Sequence, residues 1–201
     1  MNGRTMRLAA AAAFLAGACA CADVLARELA SDQEIHAKAA LIAESARHRT
    51  RADRAAARAL IAQGNAAYRA GRFDEAHSDY DNAAANAPSA YAYIMTGDAH
   101  WRAALASAQQ PGATGEASTC RLQRLHFVDD LRLDLNQQYL IGLRLAQTTS
   151  LAPRPGPALR ARAKASAACF TRLAQDYAPL PPQTCVDPAR IARCLGMPLV
   201  K

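Results

Sequence analysis

The stretch that most constrains this chain is residues 57–90, ARALIAQGNAAYRAGRFDEAHSDYDNAAANAPSA, which predicts two helices joined by a short turn. Gly64 lies in the first helix and has no side chain to keep a partner helix at a distance. Ala76 and Ala83 are small residues on the second helix and likewise leave room for the partner helix to approach. The stretch therefore predicts two helices that pack closely against each other.

The same stretch contains residues that end or begin helices. Gly71 can adopt the positive φ angle at which a first helix ends. Asp74 can cap the second helix through its carboxylate, and Pro88 stops that helix before the chain turns again. These residues predict a turn near Gly71 and a helix end just before Pro88.

The residues of this window also fit a known repeat at nine positions: Leu60, Gly64, Tyr68, Gly71, Phe73, Ala76, Tyr80, Ala83 and Pro88. The pattern resembles one tetratricopeptide repeat, a helix–turn–helix unit of about 34 residues. In that family, glycine and aromatic positions occur in the first helix and small residues in the second. The resemblance implies a binding function and does not name the partner.

A second copy of the pattern begins in residues 90–104, with Tyr93, Gly97 and Trp101 at positions equivalent to those of the first helix. One pair of helices cannot bury its own apolar face, so a second unit is expected. Its second helix is missing from the expected place, because residues 105–119 contain Pro and Gly and predict a loop. We therefore expect one full repeat and one diverged half-repeat.

The resemblance implies a concave groove, lined by the first helix of each unit, that binds a protein or peptide. By position relative to the repeat glycine, the partner-binding residues are expected to be Asn65, Tyr68, Arg69, Asp98, Trp101 and Arg102. Asn and Arg at such positions resemble residues that hold peptide carboxylates in some members. Trp101 is either an exposed anchor or a packing residue, and for Tyr68 packing is favoured.

Residues 1–22 predict an export signal, because Arg4 and Arg7 precede a short apolar run that is followed by small residues. The run is shorter than the ~20 apolar residues of a membrane-spanning helix. The residues around Cys19 resemble a bacterial lipobox, in which a cysteine becomes the acylated first residue, and Cys21 is a second candidate. We expect a periplasmic protein anchored to the outer membrane; simple signal cleavage is the alternative.

The chain is basic, with a formal net charge of +7 at pH 7. In an exported protein this balance favours anionic lipid headgroups, cell-wall polymers or an acidic partner protein as ligands over nucleic acid.

Residues 23–63 lack Pro and Gly and predict a helix. If that helix continues through Thr50, four arginines share one face: Arg47, Arg51, Arg54 and Arg58. The alternative is a solvated face without a ligand.

Four cysteines follow the signal: Cys120, Cys169, Cys185 and Cys194. An even number in an exported chain predicts disulfides, and four cysteines allow three connectivities. Pairing of Cys185 with Cys194 would close a small loop and leave Cys120 for Cys169. No metal site is predicted, since no CxxC spacing occurs among these cysteines.

The rest of the chain predicts further helices of the same core. Apolar residues recur at helical spacing over 119–147 and 158–177. Residues 150–158, with three prolines, predict a linker, and residues 178–201 predict a loop and a short helix. The predicted architecture is all-α throughout, with one core. Its parts are the signal (1–22), a helical domain (23–148) and a C-terminal extension (149–201).

The sequence contains none of the motifs HExxH, GxSxG, P-loop or dinucleotide fingerprint. We therefore expect no enzyme activity and no cofactor. The leading expectation is a cell-envelope adaptor that binds a protein or peptide through the groove of the repeat pair. The alternatives are a permanent accessory subunit of an envelope or secretion assembly and, less favoured, an enzyme that acts on cell-wall material.

Overall fold

A computed structural model describes residues 32–108, 135–148, 152–177, 179 and 186–197. All regular structure in these residues is helical, which confirms the expected all-α class. The signal 1–22 and the cysteines Cys19 and Cys21 lie outside the described residues. The helices are α1 (Asp32–Arg47), α2 (Arg51–Arg69), α3 (Phe73–Asn86), α4 (Ala90–Ala108), α5 (Leu135–Thr148), α6 (Pro157–Tyr177) and α7 (Pro188–Cys194). None of the described helices has both the length and the apolar character needed to cross a bilayer.

The predicted helix over residues 23–63 is interrupted between α1 and α2, so the condition that it continues through Thr50 is not met. Thr50 caps α2: its Oγ1 accepts a hydrogen bond from the backbone N–H of Asp53 at 3.1 Å. Asp53 Oδ2 in turn accepts from the backbone N–H of Thr50 at 2.8 Å. The hydrogen bonds that the Asp53 carboxylate accepts from the backbone and from the side chain of Thr50 lower the pKa of Asp53. Because a capping box starts a new helix, the arginines on either side do not share one helical face.

The α2–α3 pair is an antiparallel hairpin, and its close packing follows from the small residues that the sequence indicated. A Cβ atom added at Gly64 would stand 2.8 Å from Cε1 of Tyr80. Ala76 and Ala83 are fully buried in the same interface. Any larger residue at these three positions would therefore push the two helices apart.

The turn of this hairpin is partly as predicted. Gly71 has a φ angle of 76°, which is the left-handed conformation expected after α2. The helix-capping prediction for Asp74 is wrong, because Arg72 is the N-cap residue and makes no side-chain capping bond. Asp74 lies instead in the first turn of α3, where its charge interacts favourably with the helix dipole.

The second helical pair is completed by α5, a helix that follows the predicted loop. The contacts of α5 with α4 are antiparallel, with Gly142 beside Ala90 and Ile94 and with Tyr139 bonded to Asp98. Helix α4 runs to Ala108, so residues 105–108 are helical rather than part of the predicted loop. Residues 109–119 of that loop and residues 119–134 of the next predicted helix lie outside the described residues.

Helix α1 packs against α5 rather than extending α2. Ile35 and Ala39 of α1 share an apolar cluster with Ile141 and Leu145 of α5. At the edge of this contact, Nζ of Lys38 donates a hydrogen bond to the Gln137 side chain at 2.7 Å. The break at Thr50 thus allows α1 to cover a helix that comes much later in the chain.

The C-terminal part follows the predicted helices closely. Helix α6 matches the predicted helix over 158–177, and Asp187 caps α7 by accepting from the Ala189 N–H at 2.8 Å. A disulfide joins Cys169 of α6 to Cys194 of α7. This bond excludes the considered pairs of Cys185 with Cys194 and of Cys120 with Cys169. Both Cys120 and Cys185 lie outside the described residues.

We predict that Gly142→Ala destabilises the protein, because α4 and α5 touch at Gly142. An added Cβ would stand 2.7 Å from Cγ1 of Ile94 and 3.0 Å from the backbone oxygen of Ala90. Overpacking costs about 1–3 kcal/mol, and Ala regains roughly 1 kcal/mol of helix preference. The net loss in the free energy of unfolding is then about 0–2 kcal/mol, and we expect the upper half of this range in urea unfolding because two of the three nearest atoms belong to the backbone.

The matched control is Gly156→Ala, where no described atom lies within 4 Å of the added carbon and the backbone is not strained. This variant is expected to keep the wild-type stability. Equal stability of the two variants would contradict the close approach of α4 and α5.

Candidate functional site

Helix α6 lies over the face of α2 and α4 on which the resemblance placed a groove. The Trp101 ring of α4 stacks on the Phe170 ring of α6, with centroids 4.0 Å apart and planes 12° from parallel. A guanidinium nitrogen of Arg162 on α6 lies 3.5 Å from the carboxylate of Asp98 on α4. The chain therefore covers this inner face with a helix of its own.

A buried carboxylate organises the polar contacts beneath α6. Asp98 is 1% exposed and accepts hydrogen bonds from the Tyr68 hydroxyl, from the Tyr139 hydroxyl at 3.2 Å and from Nε of Arg102 at 2.9 Å. Arg162 adds a second positive charge from α6. These donors replace the water that a carboxylate loses on burial.

The ionisation of the neighbouring groups fits this arrangement. Burial raises the pKa of Tyr68, and the negative charge of Asp98 raises it further. The same two causes raise the pKa of Tyr139. Burial by itself would lower the pKa of Arg102, but the Asp98 carboxylate outweighs it and the pKa is raised. Both tyrosines thus stay neutral hydrogen-bond donors to a carboxylate that is paired with arginine.

A second internal contact uses Asn65, another residue predicted to bind a partner. Its Oδ1 accepts hydrogen bonds from the Tyr80 hydroxyl at 2.8 Å and from the Tyr91 hydroxyl at 2.6 Å. The two tyrosines come from α3 and α4, so Asn65 links three helices. Its carbonyl oxygen is occupied by these two internal donors, which limits its use for a ligand.

The structure thus distributes the six predicted partner-binding residues between the interior and the surface. Tyr68, Asp98 and Arg102 come together as one bonded group. The hypothesis of an exposed Trp101 anchor is wrong, because Trp101 is fully buried against Phe170. Arg69 is exposed and accessible to solvent.

An open concavity lies elsewhere, where the end of α1, the first half of α2, the α3–α4 turn and the linker before α6 meet. We call it the arginine cleft. Its volume is about 430 Å³, and its charged lining residues are Arg47, Arg54 and Arg58. Three of the four arginines noted in the sequence therefore converge on one cleft, although the helix that was expected to align them is broken.

The buried part of the arginine cleft is apolar. Its lining includes the buried residues Ala57 and Ile61 of α2 and Pro88 of the α3–α4 turn, together with the half-buried Pro153 of the linker. The cleft thus combines a buried hydrophobic base with exposed positive charges. Sequence analysis missed Pro88 and Pro153 as lining residues, since Pro88 was interpreted there as a helix stop and Pro153 as part of a linker.

The arginines of the cleft are only weakly neutralised by the described part of the chain. Arg47 pairs with Glu44 at 2.7 Å, and both side chains are more than half exposed. Arg54 contributes to lowering the pKa of Asp53, whose carboxylate is already bonded to Thr50. Arg58 makes no ion pair with a described side chain.

A second concavity, which we call the disulfide cleft, lies between α6 and α7 on another side of the molecule. It measures about 470 Å³ and its lining includes Cys169, Cys194, Arg172 and Arg193. It differs from the arginine cleft in containing a carboxylate, that of Asp176, which pairs with Arg190.

The described residues contain no group of three or more His, Cys, Asp or Glu side chains that could hold a metal ion. The rings of His77 on α3 and His100 on α4 form an edge-to-face pair, with centroids 4.8 Å apart.

Comparison with protein-family models, with curated proteins and with solved structures finds no match for this chain.

Proposed function

We propose that this chain is an adaptor of the cell envelope that binds another protein and is built on one tetratricopeptide-type hairpin and a diverged second pair. The α2–α3 hairpin supports the proposal through its close contact at Gly64 and the left-handed turn at Gly71. The antiparallel α4–α5 pair supports it as a second unit, with an insertion between its two helices.

The observation that carries the proposal is the contrast between the two concave faces of the molecule. The inner face is covered by α6 through the Trp101–Phe170 stack and the Asp98–Arg162 pair. The arginine cleft is open and has positive charge above an apolar floor. In this arrangement a partner has access to the arginine cleft, so we place the binding surface there rather than in the repeat groove.

Site-specific photo-crosslinking in cells tests this proposal. A photoreactive amino acid replaces Arg58 in the full chain, and the matched control places it at the exposed Arg172 of the disulfide cleft. We expect a discrete protein adduct from position 58 that is absent from position 172. The adduct should be lost when the facing arginine is reversed in charge by Arg47→Glu. Adducts that are equal at the two positions, or insensitive to Arg47, would overturn the proposal.

The proposal includes export and anchoring through an acylated cysteine. Its basis is the pattern of residues 1–22, with Cys19 or Cys21 as the modified residue. The intact mass of the chain from the same cells tests it, since acylation adds mass to a chain that starts at one of these cysteines. A mature chain without added mass would make the adaptor a free periplasmic protein.

The competing hypothesis of a permanent subunit requires a large apolar surface for its assembly. Within the described residues, the only exposed large apolar side chain is Leu41 of α1, which is 72% exposed. One isolated side chain is normal for a soluble surface. We therefore retain the adaptor as the leading proposal.

A further inference from the structure

We propose that the arginine cleft binds an acidic segment of a partner protein in which one apolar side chain lies between two carboxylates. This inference rests on the proposed adaptor function and names the class of its ligand. It is carried by the charges, the shape and the composition of the cleft.

The positive charges of the cleft come from two helices. Arg47 is the last residue of α1, while Arg54 and Arg58 lie one turn apart on the same face of α2. A guanidinium group presents a planar fork of donors that matches a carboxylate with two parallel hydrogen bonds. Guanidinium donors from two helices in one cleft suit two carboxylates on a single segment.

The charge of the cleft is not balanced from within its lining. The α3–α4 turn contributes Ala87 and Pro88, and the linker contributes Ala152 and Pro153, none of which is charged. Among the described residues, the lining of the cleft thus contains three guanidinium groups and no carboxylate. Two neighbouring acidic groups are already engaged: Glu44 in an exposed and therefore weak pair with Arg47, and Asp53 in the capping box of α2.

The apolar residues of the cleft determine which kind of ligand side chain fits between the two carboxylates of the ligand. Ala57, Ile61, Pro88 and Pro153 form an apolar surface that an aliphatic side chain of the ligand would bury. The cavity of about 430 Å³ is of the size that holds a short peptide segment.

The concave shape favours a protein segment over an anionic membrane. A bilayer presents a broad surface, which basic side chains reach from a flat or convex face of a protein. In the arginine cleft, buried apolar residues and exposed arginines line one concavity, which a side chain can enter and a bilayer cannot.

Fluorescence anisotropy with the purified full chain tests the ligand class. The probe is a labelled peptide, acetylated and amidated, with the core Glu-Leu-Glu, and its neutral counterpart has Gln-Leu-Gln. We expect the acidic peptide to bind more tightly than the neutral one. Arg54→Gln with Arg58→Gln should weaken its binding about tenfold, because charge-assisted bonds to carboxylates are lost.

The matched control is Arg172→Gln with Arg193→Gln, which removes the same charge from the exposed rim of the disulfide cleft. Its affinity for the acidic peptide should equal that of the wild type. All four arginines are exposed, so both double variants should keep their helical circular dichroism. Equal weakening by the two pairs would show general attraction by charge and would overturn a specific site.

Two further outcomes separate this inference from the adaptor function. Binding to vesicles that contain phosphatidylglycerol, dependent on Arg54 and Arg58 and without peptide binding, would replace the acidic segment by a membrane surface. A cleft-dependent protein adduct in cells without binding of the acidic peptide would overturn the ligand class while the adaptor function stands. If neither a cleft-dependent protein adduct nor binding of the acidic peptide is observed, both the adaptor function and the ligand class are overturned.

Discussion

Replacing Asp98 by alanine is expected to lower the free energy of unfolding by about 3–5 kcal/mol, because it leaves a buried guanidinium without its partner. The Arg102 side chain is 14% exposed and has Asp98 as its closest acceptor, at 2.9 Å. The Tyr68 and Tyr139 hydroxyls would lose the same acceptor. The loss is a large share of the ~5–15 kcal/mol by which domains are stable. Urea unfolding followed by circular dichroism measures it.

Two further variants make this prediction specific to the buried charge. Asp74→Ala removes an exposed carboxylate from the first turn of α3 and should cost less than about 1 kcal/mol. Arg102→Met in the Asp98→Ala background should recover part of the stability, because it removes the unpaired buried charge. A cost for Asp98→Ala no greater than that for Asp74→Ala would show that the carboxylate is not buried as described.

Replacing Trp101 by alanine is expected to cost about 3–5 kcal/mol through the cavity that it leaves. Trp101 is fully buried and is among the largest buried side chains of the described residues. Its stack on Phe170 connects α4 to α6, so the variant should also loosen α6 and expose the linker before it to protease. Chemical unfolding and limited proteolysis measure the two effects.

Trp101→Phe is the conservative control and should recover much of the stability, since an aromatic ring remains to pack on Phe170. The prediction also decides between the two roles considered for this residue. An exposed binding anchor would show little change of stability in Trp101→Ala, and that result would contradict the burial of Trp101 beneath α6. As the only tryptophan of the chain, it also reports the core directly through its fluorescence.

The α2–α3 hairpin was predictable because its determinants are local. Gly64, Ala76 and Ala83 mark the close contact, and Gly71 marks the turn. Each of these residues acts within one helical hairpin, through steric space or through a backbone angle that glycine adopts readily. The amphipathic pattern of α6 is local in the same sense.

The break between α1 and α2 has a local signal in the sequence that was not used. Thr50 and Asp53 have the spacing of a capping box, in which each side chain bonds the backbone of the other residue. Without this signal, the sequence left open whether the helix continues through Thr50. The arginines Arg47 and Arg54 therefore meet in a cleft and not along a helix.

The sequence by itself determined the helical class, the α2–α3 hairpin and the stretches that form α6 and α7, because helix periodicity, caps and turn glycines act over short distances along the chain. The tertiary structure alone decided that α5 completes the second pair, that α6 covers the inner face, and that Cys169 bonds Cys194. An amphipathic pattern shows that a face must be covered, but the covering element depends on the path of the whole backbone.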